Sequence, residues 1–253
     1  MDLASWVSDL TIVWFIVSGV TFTALLYVNA PYGRHMREGW GPSIPNTAAW
    51  MVMELPMVVL FGLWFVLGTH TDTITAWVFL GLWQAHYLHR VFIYPFTLQD
   101  SSKQMPLLIA SLGFVTNIVC STCNGYYLFE ASGGYSARWL ADPRFVLGAA
   151  LFVAGYLINR QSDHLLRSLR TPGETGYRIP HGWLFRWVSC PNYLGEIIEW
   201  TGWAVATWSL PGLAFATWTA ANLVPRARAH HAWYQAKFPD YPPERKALVP
   251  GLW

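Results

Sequence analysis

Residues 159–208 read NRQSDHLLRSLRTPGETGYRIPHGWLFRWVSCPNYLGEIIEWTGWAVATW. This stretch decides the fold, because an apolar span becomes a polar helix face here and the chain then turns apolar again. Asn159, Asp163, Arg167 and Arg170 recur at steps of four, four and three, so a helix places all four on one face. A polar loop rich in Gly, Pro, Tyr and Arg follows. Asn192 then reads as the N-cap of a new helix. Glu196 and Glu199 share a face of that helix, which runs straight into WTGWAVATW. A helix row with two arginines, a tyrosine-containing loop and a helix N-terminus suit an anionic, phosphate-bearing ligand. The same pattern also suits a solvated cytoplasmic loop that follows the positive-inside rule.

Working outward, composition selects a membrane protein. Of 253 residues, 54% are hydrophobic and only 12% are charged, against about 25% charged in soluble domains. Aromatics make up 17%, with 16 Trp, more large apolar side chains than a soluble core of this size uses. The reading is an all-α polytopic membrane protein forming a single domain over 1–253. A net charge of +2 is too small to argue for nucleic acid. Cys120 and Cys123 form a C-x-x-C inside an apolar span, and with Cys190 they read as small core residues. MDLASWVSDL lacks a basic n-region, so it does not read as a cleavable signal peptide. Internal repeats and low-complexity tracts are not evident.

Runs of spanning length fall at roughly 10–30, 48–68, 73–97, 106–129, 143–160, 194–210 and 211–227, predicting about seven helices. Leu210-Pro211-Gly212 reads as a tight hairpin between the last two. Lys and Arg are unevenly placed. Arg34 and Arg37 lie in the first loop and Lys103 in the third. Five lie in the fifth connection and five in the tail, giving 13 on one side, against Arg138 and Arg144 on the other. That asymmetry predicts a cytoplasmic C-terminus and an external N-terminus, in either a bacterial inner membrane or the endoplasmic reticulum.

Three further features exceed the needs of an inert bundle. Glu54 sits in AAWMVMELPMVVL, and a carboxylate at such depth is a functional hypothesis by default; Pro56 two residues on predicts a kink. The segment QAHYLHRVFIYP puts Tyr87, Arg90 and Tyr94 on one face. Its His86 and His89 lack a third metal ligand of suitable spacing and read as structural. In the tail, Asn222, Arg226, His230 and Tyr234 recur every four residues as one polar face, with Pro225 marking a kink or a new start. A second basic and aromatic row on the same side as the first suggests one shared anionic site. A snorkelling juxtamembrane helix is the alternative.

ELPMVV, HYLHRVFIYP, NGYY, residues 162–216 and the tail HHAWYQAKFPDYPPERKALVPGLW closely resemble the steroid 5-alpha-reductase family, over nearly the whole chain after about residue 50. The resemblance implies a seven-helix membrane enzyme that uses NADPH to reduce the double bond conjugated to the ketone of testosterone- or progesterone-like 3-oxo-4-ene steroids. It implies that Glu54 and Tyr87 hold the steroid ketone, within a substrate region spanning 50–95. It implies that Asn159, Asp163, Arg170, Tyr177, Asn192, Glu196, Arg226, His230 and Tyr234 surround the cofactor, mainly within 159–253. Arg167 and Arg178 complete the expected cofactor set. Two departures stand out. Residues 97–106, TLQDSSKQMP, replace an Asn-Arg-Gly-Arg-Pro run of the vertebrate enzymes, and Met53 stands where those enzymes have Gln.

The chemistry expected of these residues is hydride addition to the enone β carbon, with Tyr87 donating to the developing oxyanion and Glu54 orienting it or passing a proton. No GxGxxG dinucleotide fingerprint occurs, so a Rossmann site is not expected. Membrane lipid is the expected surrounding, and no obligate protein partner is indicated. Membrane methyltransferases share a similar polar C-terminal architecture but use S-adenosylmethionine, which has no phosphate; the two arginine rows favour a phosphorylated cofactor. A retinal-type receptor would need an intramembrane lysine, and Lys103, Lys237 and Lys246 all lie outside the spans. A transporter would show repeats that this chain lacks.

Overall fold

From the second α-helix onward, a capping side chain or a proline marks each start. The computed structural model describes residues 3–98, 103–169, 174 and 176–253. Within them run α1 (Leu3–Tyr27), α2 (Asn46–Leu67), α3 (Ile74–Phe92), α4 (Leu107–Tyr126), α5 (Pro143–Ser168), α6 (Pro191–Thr207) and α7 (Leu210–Lys237). Side chains of Thr73, Asp142 and Ser209 accept from the first-turn amides of α3, α5 and α7, satisfying donors that a helix start leaves open. α2 and α4 start instead from a two-stranded antiparallel ribbon, β1 (Ser43–Pro45) on β2 (Gln104–Pro106), with Ile44 opposite Met105. Each strand ends in a proline that lacks an amide to extend the ladder.

Two boundaries differ from the sequence reading. Pro191 occupies the first turn of α6 and Cys190 precedes it, so Asn192 lies inside the helix and does not cap it; proline's fixed φ suits that first turn. The α6–α7 turn falls at Trp208, left-handed at φ 46°, with Ser209 capping α7, so Leu210-Pro211-Gly212 is the first turn of α7 and not the hairpin loop.

The tightest seam joins α5 and α6. A Cβ on Gly148 would lie 2.2 Å from Ala206 N, on Gly155 2.3 Å from Glu199 N, on Gly195 2.5 Å from Asn159 N, and on Gly202 2.4 Å from Phe152 N. The glycines are spaced by seven on each helix, so the two backbones run in contact, as helices without a hydrophobic drive between them pack. Beside the seam lies an aromatic core. Phe61 stacks on Trp83 at 4.3 Å, and Trp83 meets Trp200 and Trp203 at 5.3 and 5.2 Å. Two of the indole N–H groups bond across helices: Trp83 donates to Met57 O at 2.8 Å and Trp203 to Asn124 Oδ1 at 2.9 Å.

Among the described residues, three helices are long and apolar enough to cross a membrane: α1, α2, and α4 with its π-turn extension to Ala131. Their outward faces carry exposed Val13, Ile16, Val20, Val59, Leu63 and Val115, a surface suited to lipid. α3, α5, α6 and α7 instead place charges along the faces they turn to one another.

Candidate functional site

A cavity of about 440 Å³ opens between α1, α2, α3, α4, α6 and α7. Met57, Ile109, Leu112, Trp200, Phe215 and Trp218 wall much of it, and Glu54, Tyr87, Arg90, Asn117, Glu196 and Arg226 bring polar groups. A largely apolar void with a few polar groups is the form of a small-molecule site.

Pro56 lies two residues beyond the acid and has no amide to donate to the carbonyl of Val52 one turn back. Asn117 Nδ2 donates to Met53 O at 2.8 Å and to Glu54 Oε2 at 3.1 Å. Glu54 Oε1 lies 3.6 Å from Arg90 Nε, and Arg90 sits over the rings of Trp50 and Tyr94 at 4.6 and 4.8 Å. Tyr94 begins a short 3-10 turn beyond the end of α3. Tyr87 is buried on the same wall, stacked on Trp200 at 5.4 Å. Asn117 was invisible to the sequence reading, although a lone Asn in FVTNIVC is a polar residue inside an apolar run.

The expected cofactor residues fall into two buried clusters that meet at this cavity. In the first, Asn159 Nδ2 donates to Asn192 O at 3.0 Å and Glu196 Oε2 at 3.3 Å, and Asn192 Nδ2 donates to Asp163 Oδ1 at 3.2 Å. In the second, His230 Nδ1 is 2.9 Å from His35 Nε2, and its Nε2 is 3.0 Å from the Tyr193 hydroxyl. Arg226 lies over Tyr32 at 3.9 Å. Arg34 is boxed by Tyr177, Trp233 and Tyr234 at 5.3, 4.9 and 4.7 Å. Arg34, His35, Tyr32 and Tyr193 complete this cluster and were missed; the only sequence signal was the pair of basic residues in the first loop. α7 is one continuous helix through Pro225, so Asn222, Arg226, His230 and Tyr234 do share a face.

Arg178 stays outside both clusters, ion-paired with Glu174 at the surface. Arg170 and residues 99–102 of the third connection lie outside the described residues. His86 and His89 bond different partners, Glu199 and Arg160 respectively.

Charge is unbalanced in the second cluster. Burial, with Arg226, Arg34 and Arg37 nearby, holds His35 down to about 4. Arg34 Nη1, Arg167 Nη1 and Arg226 Nε are buried without hydrogen-bond partners. Buried orphan guanidinium donors are costly, and phosphate oxygens would satisfy them in the paired geometry that arginine presents.

A sequence model of the family described as 3-oxo-5-alpha-steroid 4-dehydrogenase matches residues 103–253. The chain is 44% identical over 241 residues to 3-oxo-5-alpha-steroid 4-dehydrogenase 1 of Bos taurus, covering 92% of this chain and 91% of the relative. It is 46% identical over 233 residues to 3-oxo-5-alpha-steroid 4-dehydrogenase 2 of Sus scrofa, 90% of each chain. It is 39% identical over 243 residues to steroid 5-alpha-reductase DET2 of Gossypium hirsutum, 94% of each. With animal and plant relatives matched over nine-tenths of their length, the chain belongs to the 3-oxo-5-alpha-steroid 4-dehydrogenase family.

Proposed function

We propose that this protein is a multi-pass membrane reductase that uses NADPH to convert 3-oxo-4-ene steroids into 5-alpha-3-oxo steroids. Family membership sets the reaction. The observation that carries the site is the cavity that joins a buried Glu54–Arg90–Asn117 wall to Glu196 of α6 and Arg226 of α7. The relatives lend the methyltransferase reading no support.

The residues fit a dinucleotide phosphate. Arg167 and Arg226 offer unpartnered buried donors, and Arg34 offers another within its aromatic box; Arg170, outside the described residues, is a further candidate from the sequence alone. Asn159, Asn192 and Glu196 would hold the nicotinamide end near the cavity. NADPH supplies a hydride when bound. The protein supplies position and electrostatics. Apolar walls exclude water from the steroid skeleton, which has no hydrogen-bonding groups along its length. Tyr87 donates to the ketone oxygen as negative charge grows there, in a site dry enough for one donor to count heavily. Glu54 holds the donor network in place through Asn117 and Arg90 and can pass a proton to it.

The seven helices all cross the bilayer in this reading, with the N-terminus outside and the C-terminus cytoplasmic. The charge asymmetry supports it. So does the meeting of first-loop His35 with α7 His230. Arg144 lies over Trp139 and Trp208 at the opposite end, where aromatic residues mark an interface. The test is NADPH oxidation by purified protein against a panel of 3-oxo-4-ene steroids with product identification. A 5-alpha-3-oxo product is expected, and NADPH consumption with none of them would overturn the proposal.

A further inference from the structure

The chemistry above leaves one buried ion pair unused. His86 Nδ1 lies 2.7 Å from Glu199 Oε1, with exposures of 6% and 0%. Oε2 of Glu199 has no partner at all, although a carboxylate placed only to tie α6 to α3 would normally have both oxygens satisfied. The His86 ring packs edge-on against Tyr87 and Trp200, 4.8 Å from each, and it lines the large cavity.

The same ring also lines a second void, of about 10 Å³, between α3 and α5. His89, Asn159, Arg160 and Asp163 are among its other walls, and every residue around it carries a polar atom. That is room for one water, in surroundings polar enough to keep it. His89 Nδ1 accepts from Arg160 at 2.8 Å, so its Nε2 carries the ring proton; that N–H is buried without a partner, which marks a place for a water oxygen. Arg160 sits at the end of the span read for α5 and Asp163 beyond it, on the later turns of that helix. His86 therefore stands between a polar, water-sized gap and the reacting wall, with its Nδ1 committed to Glu199 and its Nε2 free to exchange a proton.

The reductase reading, on which this inference rests, requires such an exchange. Reducing the double bond adds one hydride equivalent and one proton. The reduced nicotinamide supplies the two electrons. The proton forms a C–H bond next to the ketone and comes ultimately from water, yet the donor wall is buried. We propose that His86, its positive form stabilised by Glu199, relays a proton from the α3–α5 void to the Tyr87–Glu54 wall after each turnover. The N–H bond of His86 breaks as an O–H bond re-forms on the depleted wall group, directly or through a cavity water. His86 then takes a proton from the void water, which is replenished from bulk solvent. No electrons move in the relay. His86 and Glu199 are positioning and relay residues here, and neither touches the double bond.

The test separates a first turnover from repeated ones. Full-length protein in nanodiscs, as wild type, His86→Ala and Glu199→Gln, is given NADPH and a 3-oxo-4-ene steroid. Single-turnover hydride transfer should stay within about threefold of wild type in both variants, because the first proton is already in place. Steady-state turnover should fall about tenfold or more, as loss of a proton-transfer group does, and added imidazole should restore part of it in His86→Ala. Equal losses in both rates, or no steady-state loss, would overturn the relay. Nitrogen-15 NMR of the wild-type ring without cofactor provides a reading independent of turnover and of variant folding. A His86 Nε2 proton that exchanges with solvent within seconds supports the relay, and protection for hours overturns it. If wild type reduces no enone, the reductase reading fails on its own, while the exchange measurement still judges the water route.

Discussion

The two polar regions of this molecule are built on opposite principles. At the ketone wall, Glu54 has Arg90 and Asn117 as partners, and Arg90 has two aromatic faces besides. The wall is satisfied from within the protein and is therefore rigid before any ligand arrives. At the ends of α5 and α7 the arginines keep buried donors unpaired, and positive charge dominates around His35. One region is pre-organised for charge that develops during a reaction, and the other awaits charge that a ligand brings. The contrast teaches which losses to expect. Damage to the first should slow chemistry without weakening binding, and damage to the second should do the reverse.

The largest effect belongs to the ketone wall. Tyr87→Phe should fold and bind NADPH normally but lose about 100- to 1000-fold in turnover, the usual cost of removing one oxyanion donor. Glu54→Gln should also lose turnover, since an amide keeps the shape of the network but passes no proton, while some steroid binding survives. Single-turnover hydride transfer at saturating cofactor and steroid measures both. Near-wild-type rates in the pair would end the contrast, leaving His86, His89 or Tyr94 to be tried as the ketone's donor.

The second effect belongs to the basic region. Arg167→Ala and Arg170→Ala should raise the apparent KM for NADPH by about 10- to 100-fold, the value of charged hydrogen bonds, and change that for NADH much less. Equal changes with both cofactors would show that neither arginine reads the extra phosphate.

Much of this division was legible in the sequence because it rests on helical spacing. Glu54 stood out as a carboxylate inside an apolar run, while the face of Tyr87 and that of Asn222, Arg226, His230 and Tyr234 follow from steps of three and four along a helix, and the structure keeps the tail face on one helix. What escaped was tertiary. Asn117 acts because α4 packs on α2 and brings its amide to Met53 O and Glu54, and Arg34 and His35 act because the first loop folds over α7. The Asn192 cap failed because Pro191 outcompetes it for the start of α6. The paired heptad glycines of α5 and α6 were present in the sequence, but their meaning needs both helices at once.

Those glycines supply the third prediction, since their seam holds both regions in register. Gly155→Ala puts a Cβ 2.3 Å from Glu199 N and 2.5 Å from Gly195 O. Backbone cannot step aside as a side chain can, so the helices must part, at a cost of about 1–3 kcal/mol. Gly19→Ala on α1 meets nothing within 4 Å and should be neutral or stabilising by up to about 1 kcal/mol. Thermal unfolding in nanodiscs compares them. A Gly155→Ala protein as stable as wild type would mean the seam tolerates separation.

The smallest effect is a pH dependence seated in the basic region. His35 is held at about 4 in the folded protein by burial and by Arg226, Arg34 and Arg37, against about 6.5 when unfolded. His230 and, through it, Tyr193 complete its surroundings. Between those two values the unfolded chain binds the proton more readily than the folded one, so stability falls as pH drops from about 6.5 to 4 and levels off below. His35 is only half-buried and partly screened, so the expected decline in Tm is small, about 2 °C, and His35→Gln should remove it. A bound phosphate group would offset the arginines, raise the His35 value towards its unfolded one and narrow the window. The decline should therefore shrink when NADPH is present and persist when a steroid alone is added. A decline that steroid abolishes and NADPH leaves intact would place the anion site elsewhere and dissolve the contrast between the two regions.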